Sequence, residues 1–194
     1  MSADNDKPYV LRVAELIYSK VVNIKKENSG ITNIGAFELF MTTSIQEIVR
    51  RPRIAFVQGT WHKDIVGQLR NSFEQEITRL TDKQVSYFEV PGAYEIPLFA
   101  KALAESGKYA AVVAAALVVD GGIYRHEFVA STVVDNLMRV QIDTGMPVFS
   151  AVLTPHHFHD SQEHQHFFES HFLIKGKEVA QACTSTLNEL IAIS

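Results

Sequence analysis

The sequence predicts an α/β protein with a mostly parallel sheet covered by helices on both faces, and three observations carry that expectation. Short apolar runs of strand length alternate with segments whose apolar residues recur at helical spacing. Glycine or proline punctuates most junctions between them. The composition, 194 residues with 46% hydrophobic, 21% charged and a net charge of −4, supplies enough apolar surface for one sizeable core and too much for a disordered chain.

The first fifty residues stand apart from that alternation. Val10, Val13, Ala14, Ile17 and Val21 repeat at helical spacing, a polar break runs from Lys25 to Gly30, and Phe37, Phe40, Met41, Ile45 and Ile48 suggest a second short helix. About fifty residues are too few for a secure core of their own, so residues 1–52 are expected to form an N-terminal extension of unassigned role, with the main domain at 53–194.

From Arg53 the units follow in order. Arg53–Gln58 is a buried-strand run, and Ile65, Leu69, Phe73, Ile77 and Leu80 mark a helix. Gln84–Val90 is a second strand, and Pro97 opens a helix through Leu103 that Gly107 ends. Ala110–Val119, the most apolar segment, is expected as a central strand. Phe128–Val140 follows as a helix closed by Gly145 and Pro147, then Val148–Leu153 as the fourth strand. Val179, Ala182, Cys183, Thr186, Leu187, Leu190 and Ile191 give the clearest helical stripe.

Composition also narrows function. A small negative charge gives no general attraction to nucleic acid or anionic lipid. The longest apolar run, Tyr109–Val119, is too short to cross a bilayer, and Asp4 and Asp6 argue against a secretory signal. Cys183 is the one cysteine, so no intramolecular disulfide is possible. A cytoplasmic protein is expected, without nucleic-acid or membrane partners.

In parallel sheets ligands bind beyond the carboxyl ends of the strands, and the unusual residues gather there. Trp61, the sole tryptophan, follows the first strand, where an indole can stack on a flat heteroaromatic ring or cap the core. Pro91–Pro97 sets rigid backbone around Glu95, suited to a polyhydroxyl ligand or to a helix N-terminus. Gly121-Gly122 lets backbone N–H groups approach an anion, and Arg125 and His126 add a cation and a titratable imidazole. Six of the eight histidines lie between His156 and His171. Their spacing could suggest a metal site, but histidines two apart share neither a strand face nor a helix face, and no HExxH motif is present. No metal ligand is assigned, and the stretch is read as supplying imidazoles to an anionic ligand or a subunit contact. Cys183 falls on an apolar helix stripe and reads as a buried structural thiol.

Three segments together carry a resemblance. Val90-Pro-Gly-Ala-Tyr-Glu-Ile-Pro97, Val118–Val129 (VVDGGIYRHEFV) and Pro147–His159 (PVFSAVLTPHHFH) resemble the 6,7-dimethyl-8-ribityllumazine synthase family, the last two its type II branch. The resemblance covers residues 53–194. It implies a flavodoxin-like three-layer sandwich on a four-stranded parallel sheet, assembled into pentamers or dimers of pentamers with active sites between subunits. It implies a transferase of riboflavin biosynthesis that condenses 5-amino-6-(D-ribitylamino)uracil with 3,4-dihydroxy-2-butanone 4-phosphate, without cofactor or metal.

Carried onto this chain, the resemblance gives Trp61 the stacking role. Ala93, Tyr94 and Glu95 take the ribityl contacts, and Leu117, Val118 and Val119 line the pyrimidine. Gly122 and Ile123 supply backbone to the phosphate, and Lys175 lies near it. Ser150 and His164 fall where a neighbouring subunit presents a ring-packing residue and a phosphate-binding arginine. Three positions depart from the family pattern. Asp120 replaces a cation, and His164 replaces the arginine. An ungapped alignment puts Arg125 at the catalytic histidine, which a one-residue shift would place at His126. His126 is preferred for proton transfer because arginine stays protonated. The departures leave open a second reading, a catalytically weak flavin- or lumazine-binding assembly, and the histidines a third, a metalloprotein.

Overall fold

The computed structural model describes residues 45–122, 125–156, 158 and 161–193. Four strands, β1 (Arg53–Gly59), β2 (Gln84–Val90), β3 (Ala111–Leu117) and β4 (Val148–Leu153), alternate with α1 (Lys63–Leu80), α2 (Ile96–Glu105), α3 (His126–Thr144) and α4 (Gln162–Ala192), with a 3₁₀ turn at Ala93–Glu95. The strands form one all-parallel sheet in the order β2-β1-β3-β4. The expected α/β class and four-stranded parallel sheet are therefore present.

Crossovers between parallel strands are right-handed, and this fixes the layers. The chain steps from β1 to β2 in one direction, then from β2 to β3 and from β3 to β4 in the other. Hence α1 covers one face and α2 and α3 the opposite one, with α4 returning beside α1. Alternation along the strands matches this division. Ile54, Phe56, Val113, Ala115 and Leu117 join α1 and α4 residues such as Leu69, Phe73, Phe172 and Cys183 in one core. Ala55, Val57, Val112, Ala114 and Ala116 join Ile96, Ala100, Val133 and Leu137 in the other. Every residue of β3 is buried, as expected for a strand covered on both faces.

The element ends follow from local chemistry. Gly145 closes α3 in the left-handed conformation, φ 66°, where a side chain would be strained. Gln141 Oε1 then accepts the Val148 N–H at 2.9 Å and ties the helix end to β4. Residues 45–49 form a helical turn whose Ile48 and Val49 are buried in the two separate cores. Arg51 donates to the Tyr109 carbonyl at 3.2 Å, and Lys83 to the Arg51 carbonyl at 2.6 Å. These contacts lie at the amino ends of the strands. Residues 1–44, the bulk of the expected extension, lie outside the described residues.

One element is longer than its sequence pattern suggests. The stripe from Val179 marks only the second half of α4, which begins at Gln162. Both halves are held by α1. Ser72 Oγ donates to the Leu173 carbonyl at 2.5 Å, and Gln181 donates to Glu76 Oε1 at 2.9 Å. Hydrogen bonds from Arg79 and Gln181 hold the Glu76 carboxyl below its usual range. Burial pushes the Cys183 thiol up to about 12, so it is an un-ionised core group. Among the described residues no helix is long and apolar enough to cross a membrane.

The α1–α4 approach depends on Gly176. A Cβ there would collide with the Leu69 carbonyl oxygen and stand 2.9 Å from both Phe73 N and Ser72 Cβ. In an exposed helix Gly→Ala stabilises by about 1 kcal/mol. Here overpacking should reverse the sign, so Gly176→Ala is expected to lower unfolding stability by about 1–3 kcal/mol in a urea titration.

Candidate functional site

The reversal of strand order between β1 and β3 sends the loops after those strands toward opposite faces of the sheet and leaves a crevice between them. A cavity of about 210 Å³ opens there. Six of the residues expected from sequence, Trp61, Ala93, Tyr94, Leu117, Val118 and Val119, line it, together with His62, Gly121 and Val129. The loops after β1, β2 and β3 and the first turn of α3 therefore meet in one place.

Trp61 is 61% exposed, yet one side of its indole is backed by protein. A Cβ on Gly92 would stand 3.1 Å from Trp61 Cε3 and Cζ3, so the ring lies against the Gly92 backbone. The loop beneath it is tied down. Thr60 N–H donates to the Val90 carbonyl at 2.9 Å, Thr60 Oγ1 to the Pro91 carbonyl at 3.1 Å, and Gly92 N–H to Glu95 Oε2 at 2.9 Å. Glu95 thus fixes the Pro91-Gly92 turn and retains a second carboxylate oxygen. The result is a pre-positioned aromatic surface facing an apolar wall of Leu117, Val118 and Val119, suited to a flat ring.

His62 was absent from the expected site residues. It lines the cavity and initiates α1, and it is the one non-glycine with positive φ among the described residues (φ 54°, ψ 44°). Its carbonyl accepts the Ile65 and Val66 N–H groups, each at 3.0 Å. Its ring makes an edge contact with Phe158, with centroids 5.2 Å apart. A left-handed non-glycine costs about 1–2 kcal/mol and clusters at functional sites. Nothing in the sequence marks it, since only a glycine would have advertised that conformation. Gly92 is equally illegible, because its extended φ of −144° suits any residue and its role is purely one of space.

Apart from Gly121, the remaining expected residues lie outside the lining of this cavity. Asp120, Gly121 and Gly122 continue from the β3 end, with Asp120 Oδ1 accepting the Gly122 N–H at 2.8 Å. Ile123 lies outside the described residues. His126 begins α3 and is buried, its Nδ1 3.6 Å from Glu127 Oε2. Arg125 instead holds its guanidinium 4.3 Å from the centroid of the Phe128 ring. Neither borders the cavity directly, although Val129, one turn after His126, does. Ser150 and Lys175 meet in a second cleft of about 290 Å³ between β4 and α4 that shares no lining residue with the first. Lys175 Nζ donates to Glu178 Oε2 at 2.7 Å. His164 and His166 lie on α4, not in a loop, and the His164 side chain is outside what is described. Among the described residues no three His, Cys, Asp or Glu side chains converge as a metal ion would require.

A model of the 6,7-dimethyl-8-ribityllumazine synthase family matches residues 51–190. The chain belongs to that family. A 6,7-dimethyl-8-ribityllumazine synthase of Rhodococcus erythropolis is 55% identical over 147 residues, 75% of this chain and 95% of that protein. A 6,7-dimethyl-8-ribityllumazine synthase 2 of Pseudomonas syringae pv. tomato is 58% identical over 140 residues, 71% of this chain and 82% of its own length. The family match begins at Arg51, within the turn that closes the amino end of the sheet, and it contains every residue of both clefts.

The Gly92 backing gives a direct test of the aromatic surface. Gly92→Ala is compatible with the backbone and should leave stability within about 1 kcal/mol. It must displace the indole, however, so the emission maximum or iodide quenching of Trp61, the sole fluorescent indole, should change. Unaltered emission and quenching would mean that the ring does not rest on Gly92.

Proposed function

We propose that this chain condenses 5-amino-6-(D-ribitylamino)uracil with 3,4-dihydroxy-2-butanone 4-phosphate to 6,7-dimethyl-8-ribityllumazine, the penultimate step of riboflavin biosynthesis. The observation that carries this is the convergence of Trp61, Ala93, Tyr94 and Leu117–Val119 on one cleft in a chain of that family. The family and the formed cleft favour the synthase over a weak binding assembly.

In this reading the pyrimidine stacks on Trp61 against the Leu117–Val119 wall, and its ribityl chain runs along Ala93, Tyr94 and the free oxygen of Glu95. Gly122 and Ile123 receive the phosphate of the second substrate. The pyrimidine amine attacks the ketone carbonyl and an imine forms with loss of a first water. Phosphate leaves, and ring closure with loss of water gives the lumazine. Holding two reactants together supplies much of the acceleration. His126 takes the proton-transfer role, with the Glu127 carboxylate beside Nδ1 helping to orient it. The permanently charged Arg125 is unsuited to that role.

Size and surface support a site completed by a second subunit. The first cleft, about 210 Å³, is below the roughly 300–1,000 Å³ usual for small-molecule sites. The separate Ser150/Lys175 cleft at the sheet edge, with His164 further along α4, is assigned to a neighbour's active site. Val134, Met138 and Ile142 form an exposed apolar row at four-residue spacing on α3, as expected of a homo-oligomer contact. The assembly proposed is a pentamer or a dimer of pentamers, in the cytoplasm.

Purified chain mixed with both substrates should form lumazine faster than a protein-free control, and no acceleration would overturn the proposal. Trp61→Ala should weaken pyrimidine binding by about 1–3 kcal/mol, as read by calorimetry. His126→Ala should lower turnover by about 100- to 1000-fold with little change in pyrimidine affinity.

A further inference from the structure

Behind the cleft, one carboxylate gathers three elements. Gln58 and Glu89 are register partners on β1 and β2, one pair before the strands end and the loops carrying Trp61 and Gly92 begin. Gln58 is buried, and its Nε2 donates to Glu89 Oε1 at 3.3 Å. Gln58 Oε1 has no hydrogen-bond partner among the described residues, so Glu89 alone orients this amide. From α1, Lys63 Nζ donates to Glu89 Oε2 at 3.1 Å. Arg70 Nη1 stands 3.7 Å from Glu89 Oε1, with the guanidinium 4.2 Å from the centroid of the Tyr87 ring. Lys63 and Arg70 are two turns apart and share one helix face.

The consequence falls on residues 59–62. They begin after a strand residue that Glu89 holds and end before a helix residue that Glu89 holds, and Trp61 and His62 lie inside that closed loop. His62 starts α1 in left-handed backbone with no side-chain cap, a conformation that persists only where its surroundings over-determine it. An exposed ion pair adds little stability by itself. Here its effect is directional: it fixes where α1 begins against the sheet, and with it the turn that presents the indole.

We infer that Glu89 is a positioning residue for the aromatic surface of the cleft. It does not line the cleft; it sets the Trp61 indole by pinning both ends of residues 59–62. For the ligand that the indole takes, this rests on the functional reading above.

Three substitutions divide the clamp. Glu89→Gln keeps an acceptor for Gln58 but loses the attraction to Lys63 and Arg70. Glu89→Ala loses every contact, and Lys63→Met cuts only the link to the helix start. On the full chain, iodide quenching of Trp61 reports the indole, calorimetry with 5-amino-6-(D-ribitylamino)uracil reports pyrimidine affinity, and a urea titration reports the fold. Glu89→Ala should change the quenching and should weaken pyrimidine affinity and raise its KM by about tenfold, the scale of a small misplacement. Its kcat at saturation should stay within about twofold of wild type. Glu89→Gln and Lys63→Met should shift the quenching in the same direction, each with a loss of affinity of about threefold, the scale of one exposed ion pair. Lys63→Met added to Glu89→Ala should do nothing further, because its partner is already gone.

Lower urea stability with unchanged quenching and unchanged pyrimidine affinity would make Glu89 a packing residue and overturns the inference. So does a fall in kcat with KM unchanged, or full additivity in the double variant. If Glu89→Ala does not fold, Glu89→Gln and Lys63→Met carry the same test. If wild type neither binds the pyrimidine nor forms lumazine while the quenching still changes in the variants, the functional reading fails and the clamp on residues 59–62 stands.

Discussion

The handedness of the crossovers is the constraint from which the rest of the molecule follows. Because β1 feeds a helix on one face and β3 a helix on the other, the two central strands end without covering each other's exits. The crevice between them is a topological necessity and needs no special side chain to hold it open. What the sequence adds is small volume at the right places. Ala111 and Ala114–Ala116 keep both helical layers close to the central strand, and Gly59 and Gly92 let the loops after β1 and β2 approach, with a Cβ on Gly59 reaching Gly92 C at 3.4 Å.

The cleft built on this frame divides its work between side chains and backbone. Its walls are apolar and aromatic, so they select shape and flatness, while the polar groups around them are largely spent on holding the loops. Glu95, Thr60 and Asp120 each engage a backbone group of their own or a neighbouring turn. Orientation is therefore set before any ligand arrives, which is what a reaction driven by juxtaposing two small molecules requires. Placing the Ser150/Lys175 cleft on the edge strand β4 makes it available to another chain without disturbing the first cleft.

Much of this was legible in the sequence, for identifiable reasons. The strands were short apolar runs, the glycines that stop helices needed left-handed backbone, and Trp61 drew attention as a solitary indole after a strand. The amino-terminal half of α4 was not legible. It carries three histidines and Gly176, all poor helix formers, and it is helical because tertiary contact with α1 overrides propensity. The contest between Arg125 and His126 could not be decided by spacing, since one residue of slip satisfies either. In the fold the imidazole is buried beside Glu127 and the guanidinium lies over Phe128. His62 was not among the expected site residues and Gly92 entered only as part of the Val90–Pro97 motif, because their importance lies in a backbone angle and in an absence of volume, neither of which leaves a pattern along a chain.

The left-handed backbone at His62 has an evolutionary consequence. Glycine would relieve that strain, and proteins rarely occupy their stability optimum. In a lineage drifting without need of the cleft, glycine at 62 would be a mutation favoured by folding alone. Retention of a bulky ring there against this bias separates selection for chemistry from selection for persistence, and position 62 can serve as a marker of which pressure a descendant sequence has experienced.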